Sequence, residues 1–369
     1  MKALRIYAGP RAFSQLRQHG LRPQDVATIP AAAGGPKGLI LGELDRFLFG
    51  QWLPQSTQPI DLVGASIGAW RMATACLNDA DAAFSRLSHD YIHQDFKLLP
   101  GNKMPSARSV SEAFANNLNL FYGGRIDEVL SHPRYRLHVM TSHGRHILRR
   151  EQRLLTALGY AGAFMSNTLR RKAMGAWLER IVFSSGQDAS VGAGCAPLPF
   201  AVNDYRTKQV HLTAGNFLQA VQASCSIPFA LTAVHDIPGA PPGAYWDGGI
   251  TDYHLHLNYA APLTATPQGV VLYPHFQKSV VPGWLDKSLR WRHRATHHLD
   301  TMVLLAPDPD WVKSLPNGKL PDRTDFVHYG HDFAGRVKVW QQAVQMSAQL
   351  VDEFQAWLDK PDMGQVQAL

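Results

Sequence analysis

Cysteine is scarce in this sequence. The chain has 369 residues and three cysteines, Cys76, Cys195 and Cys225, far apart and without paired spacing. That argues against a disulfide framework or a cysteine-rich metal site, and makes a reducing compartment the expectation. Charged residues are also few, at 18%, against 45% hydrophobic residues, which excludes an intrinsically disordered chain. No uninterrupted apolar run reaches the roughly 18 residues of a membrane-crossing helix. The stretch Met1 to Tyr7 has no apolar core of the length a secretory signal needs. A cytoplasmic location, with peripheral membrane contact, is therefore expected. Nucleotide signatures are missing as well: neither Gly-x-Gly-x-x-Gly nor the Walker spacing is present. Net charge is +7, but no zinc-finger spacing, RNA-recognition signature or heptad zipper accompanies it, so no nucleic-acid partner is expected.

What is present centres on Ile60-Asp61-Leu62-Val63-Gly64-Ala65-Ser66-Ile67-Gly68-Ala69-Trp70. An apolar run enters Gly-x-Ser-x-Gly and leaves as a helix-like run to Leu77, the strand–turn–helix context of a nucleophile elbow. Gly64 and Gly68 leave room where strand and helix backbones converge, and Ser66 takes the strained corner. The hydroxyl then lies at a helix N-terminus, whose amides and dipole favour negative charge. The other reading of the same residues is a glycine-rich βα turn with Ser66 as a helix cap.

Two further stretches have chemistry to offer. Upstream, Val26 to Ile29 reads as a buried strand ending in Ala33-Gly34-Gly35-Pro36-Lys37-Gly38. Glycine amides at the start of a helix approach an oxyanion unobstructed, and Pro36 has no amide to give, which points to Gly34 and Gly35 as donors. Lys37 is expected to brace the loop. Downstream lies Tyr245-Trp246-Asp247-Gly248-Gly249-Ile250, preceded by Ala223-Ser224-Cys225-Ser226-Ile227-Pro228. Gly35 stands 31 residues before Ser66, a fitting length for one βαβ crossover and hence for parallel strands covered by helices.

In that order, Gly-Gly-Pro-Lys-Gly, Gly-Ala-Ser-Ile-Gly and Asp-Gly-Gly resemble the patatin-like phospholipase family over about residues 26–253. One departure is Ala33, where the family's first loop glycine would stand. The resemblance implies an α/β fold of three layers, with a mostly parallel central sheet flanked by helices, as a single domain over 1–369. It implies a serine acyl hydrolase of the phospholipase A or lysophospholipase type, cleaving lipid esters. Ser66 would be the nucleophile and Asp247 its proton acceptor. Gly34 and Gly35 would form the oxyanion hole, with Lys37, Gly38, Gly64, Gly68 and Gly248 as supporting motif residues. No histidine, metal or cofactor is implied, and the partner is a lipid substrate.

The remaining stretches are read from periodicity. Leu39, Leu41, Leu44, Phe47 and Leu48 form a helical stripe over 38–49, and 79–130 reads as helical around a loop near 100–109. Tyr135 to Met140, 200–202, 209–213, 270–273 and 301–305 read as strands. Residues 149–183 combine basic flanks with Phe, Met and Trp at helical spacing, which fits either a packed helix pair or a lid that contacts an anionic membrane surface. His254 and His256 alternate as on a strand, but no third ligand stands at a telling spacing. Residues 290–369 complete the domain as a C-terminal extension, ending in an amphipathic helix over 337–358. Two rival functions stay open: an α/β-hydrolase triad drawing His254, His256 or a later histidine, and a non-enzymatic lipid-binding scaffold.

Overall fold

A computed structural model describes residues 1–95, 105–186, 195–261 and 269–369. The chain opens with β1 (Leu4–Ala8), α1 (Pro10–His19) and β2 (Val26–Ala31). A 3-10 turn over Gly35–Leu41 leads to α2 (Gly42–Phe47) and a π turn, then β3 (Ile60–Ala65) and α3 (Ile67–Ala75). Next come α4 (Ala80–Ile92), α5 (Ala107–Tyr122), α6 (Ile126–Leu130), β4 (Tyr135–Gly144), α7 (Arg153–Leu169) and β5 (Leu178–Ser184). Then follow β6 (Thr207–His211), α8 (Phe217–Cys225), β7 (Val234–His235), β8 (Ala244–Asp247) and α9 (Gly249–Asp252). The last part holds β9 (Val270–Pro274), β10 (Met302–Pro307), α10 (Pro309–Ser314), α11 (Thr324–Tyr329), α12 (Phe333–Met346), α13 (Ala348–Asp359) and β11 (Val366–Ala368).

Among the described residues, eleven strands form one mostly parallel sheet, with the path β11-β1-β10-β9-β2-β3-β4-β5-β6. β10, β9, β2, β3 and β4 run parallel to one another, whereas β1 is antiparallel to β10 and β5 to β4. Every residue of β3, β9 and β10 is buried. Such near-continuous apolar runs, with Asp61 the one charged residue of β3, belong to strands covered on both faces, and helices flank the sheet to make a three-layer α/β fold. Each parallel pair needs a crossover, and β2 to β3 is made by the stretch read as a helix over 38–49. It starts earlier than its stripe suggested, as a 3-10 turn led by Pro36, and continues as a π turn to Trp52.

Several boundaries differ from the sequence reading. The helix pair expected over 149–183 is one helix, α7, then a 3-10 turn and the strand β5. All seven residues of β5 are buried, and pairing with β4 overrides the helical spacing of Trp177 and Leu178. The expected strand at 200–202 is reduced to a bridge from Ala201 to Asn258. Residues 253–257 are not a strand: they follow α9 as irregular chain, with Leu255 at a φ of 50°. Part of the loop expected at 100–109 lies outside the described residues, and α5 begins at Ala107, with the Ser106 hydroxyl accepting from the Ser109 amide at 3.1 Å. The single C-terminal helix is two, α12 and α13, divided at Ser347.

Candidate active site

β4 sets the geometry of the site. Its residues 135–140 pair with β3, and there β3 ends, with Ala65 opposite Met140. β8 then takes the same edge of β4 in the opposite direction, with Asp247 opposite Thr141. The carboxyl ends of two strands thus meet head to head at adjacent positions of a third. Ser66 follows one end and Asp247 closes the other. Carboxyl ends of strands in open α/β sheets are where ligand crevices form.

Ser66 has φ 57° and ψ −129°, a conformation that L-residues rarely adopt. The corner is tight because β3 and α3 almost touch: a Cβ on Gly64 would lie 2.5 Å from the Ala69 Cα, and one on Gly68 would collide with the Ala31 carbonyl. Ser66 occupies the N-cap position of α3, yet its side chain makes no capping bond. Instead its hydroxyl donates to Asp247 Oδ2 at 2.6 Å. The other oxygen, Oδ1, accepts the Gly249 amide at 2.7 Å. Both side chains are buried. Burial pushes the Asp247 carboxyl above its ordinary value, opposed by the Ser66 hydrogen bond, the charge of Arg323 and the Gly249 amide.

The stretch Ala223 to Pro228 belongs to the same construction. Ser224 Oγ accepts the Ser66 amide at 2.9 Å and donates to the Met140 carbonyl at 2.6 Å, tying elbow to β4. The Ser226 carbonyl accepts the Asp247 amide at 2.9 Å, and Ser142 Oγ donates to the Asp247 carbonyl at 2.9 Å. Gly248 lies against Met140, whose carbonyl a Cβ there would strike. Beyond it, Asp252 of α9 accepts Arg180 Nη2 at 2.6 Å and Nε at 2.8 Å, a buried pair that anchors the aspartate's turn to β5. Ser224 and Ser226 lie in the small-residue-then-Pro stretch that the sequence marks before Asp247, whereas Asp252 had no distinguishing local signal, since an acidic residue beside a turn is common.

The glycine loop faces the same point. Gly35, at φ 57°, lines one cavity with Ser66 and Ile67. Neither the Gly34 nor the Gly35 amide has a hydrogen-bond partner among the described residues. Gly34 is backed by the Phe276 ring, and Gly38 packs on Ile67. The hydrogen bonds by which Lys37 was expected to brace the loop are not seen among the described residues: its ammonium lies 5.4 Å from the Phe276 ring centre, and burial lowers its affinity for the proton. Phe276 lies outside the stretch that any motif covered.

The cavity measures about 670 Å³, within the usual range for small-molecule sites. Trp70, Val110, Phe114, Ile227, Phe229 and Leu231 make most of its wall apolar. Arg323, Arg336 and His331 come from the C-terminal part. No histidine among the described residues is hydrogen-bonded to Ser66 or Asp247. His254 Nδ1 is engaged by the Ser279 carbonyl and the Val281 amide, and His256 by the Val280 carbonyl and Thr296. Among the described residues no group of three or more His, Cys, Asp or Glu side chains is arranged to hold a metal.

α7 lies beside this cavity. Its inner face puts Tyr160 6.1 Å from Trp246 and 6.3 Å from Phe229 between ring centres. Its outer face exposes Leu154, Leu158, Met165 and Leu169, flanked by exposed Arg149, Arg150, Arg153, Arg170 and Lys172. Among the described residues no helix is long and apolar enough to cross a membrane. No protein-family model matches the chain, and no curated protein matches it.

Proposed function

We propose that the protein is a patatin-like serine acyl hydrolase that cleaves ester bonds of lipids through a Ser66–Asp247 dyad. The observation that carries this reading is the 2.6 Å hydrogen bond from Ser66 Oγ to Asp247 Oδ2, at a strained elbow on the wall of an apolar cavity. Ser66 Oγ attacks the ester carbonyl as its proton passes to Asp247 Oδ2, and the carbonyl oxygen becomes an oxyanion beside the free Gly34 and Gly35 amides. Collapse returns the proton from Asp247 to the leaving alkoxide. Water then repeats the sequence on the acyl-enzyme, with Asp247 as base. An ordinary aspartate, with a pKa near 3.9, is a weak base for a serine. The upward push that burial gives Asp247 makes it a better one, and the Gly249 amide holds its other oxygen in place.

The substrate class follows from the lining and its surroundings. The aromatic and aliphatic wall suits an acyl chain, and the basic-flanked apolar face of α7 suits an anionic lipid surface from which that chain is drawn. A fluorophosphonate probe tests the chemistry. Peptide mapping is expected to find the label on Ser66, to lose it in Ser66→Ala and to find it weakened in Asp247→Asn. A well-folded protein that stays unlabelled, with and without anionic vesicles, would sink the reading.

A further inference from the structure

Tyr91 brings to the cavity a hydroxyl that the dyad does not use. It stands in the last turn of α4, a helix that packs on both α3 and α2 through buried Phe84, Leu87 and Ile92. One turn earlier, Ser88 Oγ would lie only 2.9 Å from a Cβ on Gly42 of α2. The Tyr91 ring is 6.2 Å from that of Trp70 in α3 and 6.4 Å from that of Trp340 in α12, centre to centre. Its hydroxyl oxygen lies 3.6 Å from where a Cβ on Gly35 would sit, and Tyr91, Gly35 and Ser66 line the same cavity. That oxygen makes no hydrogen bond among the described residues. Burial strengthens its hold on the proton, so it remains a neutral donor where Asp247 is ionised.

Other unpartnered groups stand nearby. Tyr160 Oη also has no hydrogen-bond partner among the described residues, but it is buried against Trp246 and does not line the cavity. Lys37 and Lys287 hold their ammonium groups over the Phe276 and Tyr253 rings, and neither lines the cavity. Arg323 does line it, with Nε 3.1 Å from the same Gly35 position, but its side chain is exposed, so water competes for its donors.

A partly buried hydroxyl without a protein partner is a donor available to whatever binds beside it. Tyrosine hydroxyls can stabilise an oxyanion alongside backbone amides, and a donor fixed before the reaction does so without having to reorient. Packing of the Tyr91 ring on Trp70 and Trp340 supplies that fixity. We propose that Tyr91 is a further catalytic residue, a third donor of the oxyanion hole, whose hydroxyl hydrogen-bonds the ester carbonyl oxygen as negative charge develops there beside the Gly34 and Gly35 amides. The proton stays on Tyr91 Oη throughout, and Asp247 alone exchanges one with Ser66 and the leaving alkoxide. This rests on the acyl-hydrolase reading.

The test measures kcat and KM for the wild type, Tyr91→Phe and Arg323→Gln, each as the full chain, on the glycerol monoester and the p-nitrophenyl ester of one acyl chain. Phenylalanine keeps the ring between Trp70 and Trp340 and removes the hydroxyl alone. Tyr91→Phe is expected to lower kcat and kcat/KM equally on both esters, on the order of a hundredfold, with KM within about twofold of the wild type. Both esters form an oxyanion, whereas only the glycerol monoester releases an alkoxide that needs a proton. A loss confined to the glycerol monoester would therefore put the hydroxyl at the leaving group and overturn the assignment. A raised KM at unchanged kcat, or a loss below about fivefold on both esters, overturns it as well. In that last case a large loss in Arg323→Gln would name the guanidinium as the third donor. Because the hydroxyl has no partner in the fold, Tyr91→Phe should melt with the wild type. A clear drop would mean that the hydroxyl holds the fold rather than the transition state, and the assignment falls. If the wild type cleaves neither ester and Ser66 takes no fluorophosphonate label, the hydrolase reading fails, and this one with it.

Discussion

Ser66 and Asp247, both buried, share a short hydrogen bond on the wall of the cavity, and pH is the lever that acts on it. The proposed chemistry needs Asp247 ionised, and burial holds its carboxyl above the ordinary value. Ester hydrolysis should therefore fall on the acid side with a midpoint above about 3.9, and Asp247→Asn should lower kcat by roughly a thousandfold. The same shift bears on stability. A carboxyl whose folded pKa is raised contributes stability that is present below its unfolded pKa and lost as the pH rises through its folded pKa. Asparagine avoids that loss: its carbonyl oxygen can accept the Gly249 amide while its NH2 donates to the Ser66 hydroxyl oxygen. Asp247→Asn should then melt above the wild type at neutral pH, by something on the order of 1–3 °C, with the gap closing toward pH 4. Calorimetry across that range checks both the sign and the pH at which the gap closes. A variant that melts lower at pH 7 would contradict the account.

At the scale of elements, α7 is divided lengthwise. Thr156, Tyr160, Ala163 and Asn167 face the protein, and Asn167 donates to Asp286 at 2.8 Å. Leu154, Leu158, Met165 and Leu169, on the opposite face, are 79%, 62%, 63% and 86% exposed. An apolar stripe left outside, with arginines at both ends, fits a helix lying on an anionic bilayer surface. The combined substitution Leu154→Asp and Leu158→Asp is expected to weaken sedimentation with phosphatidylserine-containing vesicles by at least tenfold. Wild-type binding should also weaken as salt is raised, because the basic rim acts through screened charge. Vesicle binding that is indifferent to both changes would remove α7 from that role. Both alternatives left open for 149–183 have a counterpart in this element. Its inner face is packed like a core helix, and its outer face has the composition of an interface.

At the scale of the molecule, the C-terminal part is structural as well as functional. β10 lies between β9 and β1, and β11 runs parallel to β1 at the edge of the sheet. α13 buries Phe354, whose ring centre is 6.3 Å from that of Phe47 and 6.1 Å from that of Trp52. These partners belong to the crossover between β2 and β3, one element from the elbow. Phe354→Ala is expected to cost about 3–5 kcal/mol, read from urea or thermal unfolding. A loss below about 1 kcal/mol would mean that this part packs as an appendage. The region after residue 253 holds no motif, yet it supplies Phe276 behind Gly34 and both arginines of the cavity wall. Such roles are decided by where a side chain arrives rather than by its neighbours in the chain, so no local pattern could have marked them.

The sequence by itself determined the parts whose requirements are local. Near-continuous apolar runs, broken by Thr28 in β2 and Asp61 in β3, made β2, β3, β9 and β10, because strands covered on both faces need them. Gly64 and Gly68 around Ser66 made the elbow, since nothing larger fits where β3 meets α3. Amphipathic spacing placed α4, α8 and the start of α7. It failed where burial overrode it, in β5, and where an apolar alternation was too short to hold a strand, at 200–202 and 253–257. Only the tertiary structure decided that Ser66 and Asp247, 181 residues apart, share a hydrogen bond. That contact depends on register along β4, where β3 ends opposite residue 140 and β8 ends opposite residue 141. Register is a property of paired strands and turns, and a slip of one residue would turn either side chain to the opposite face of the sheet.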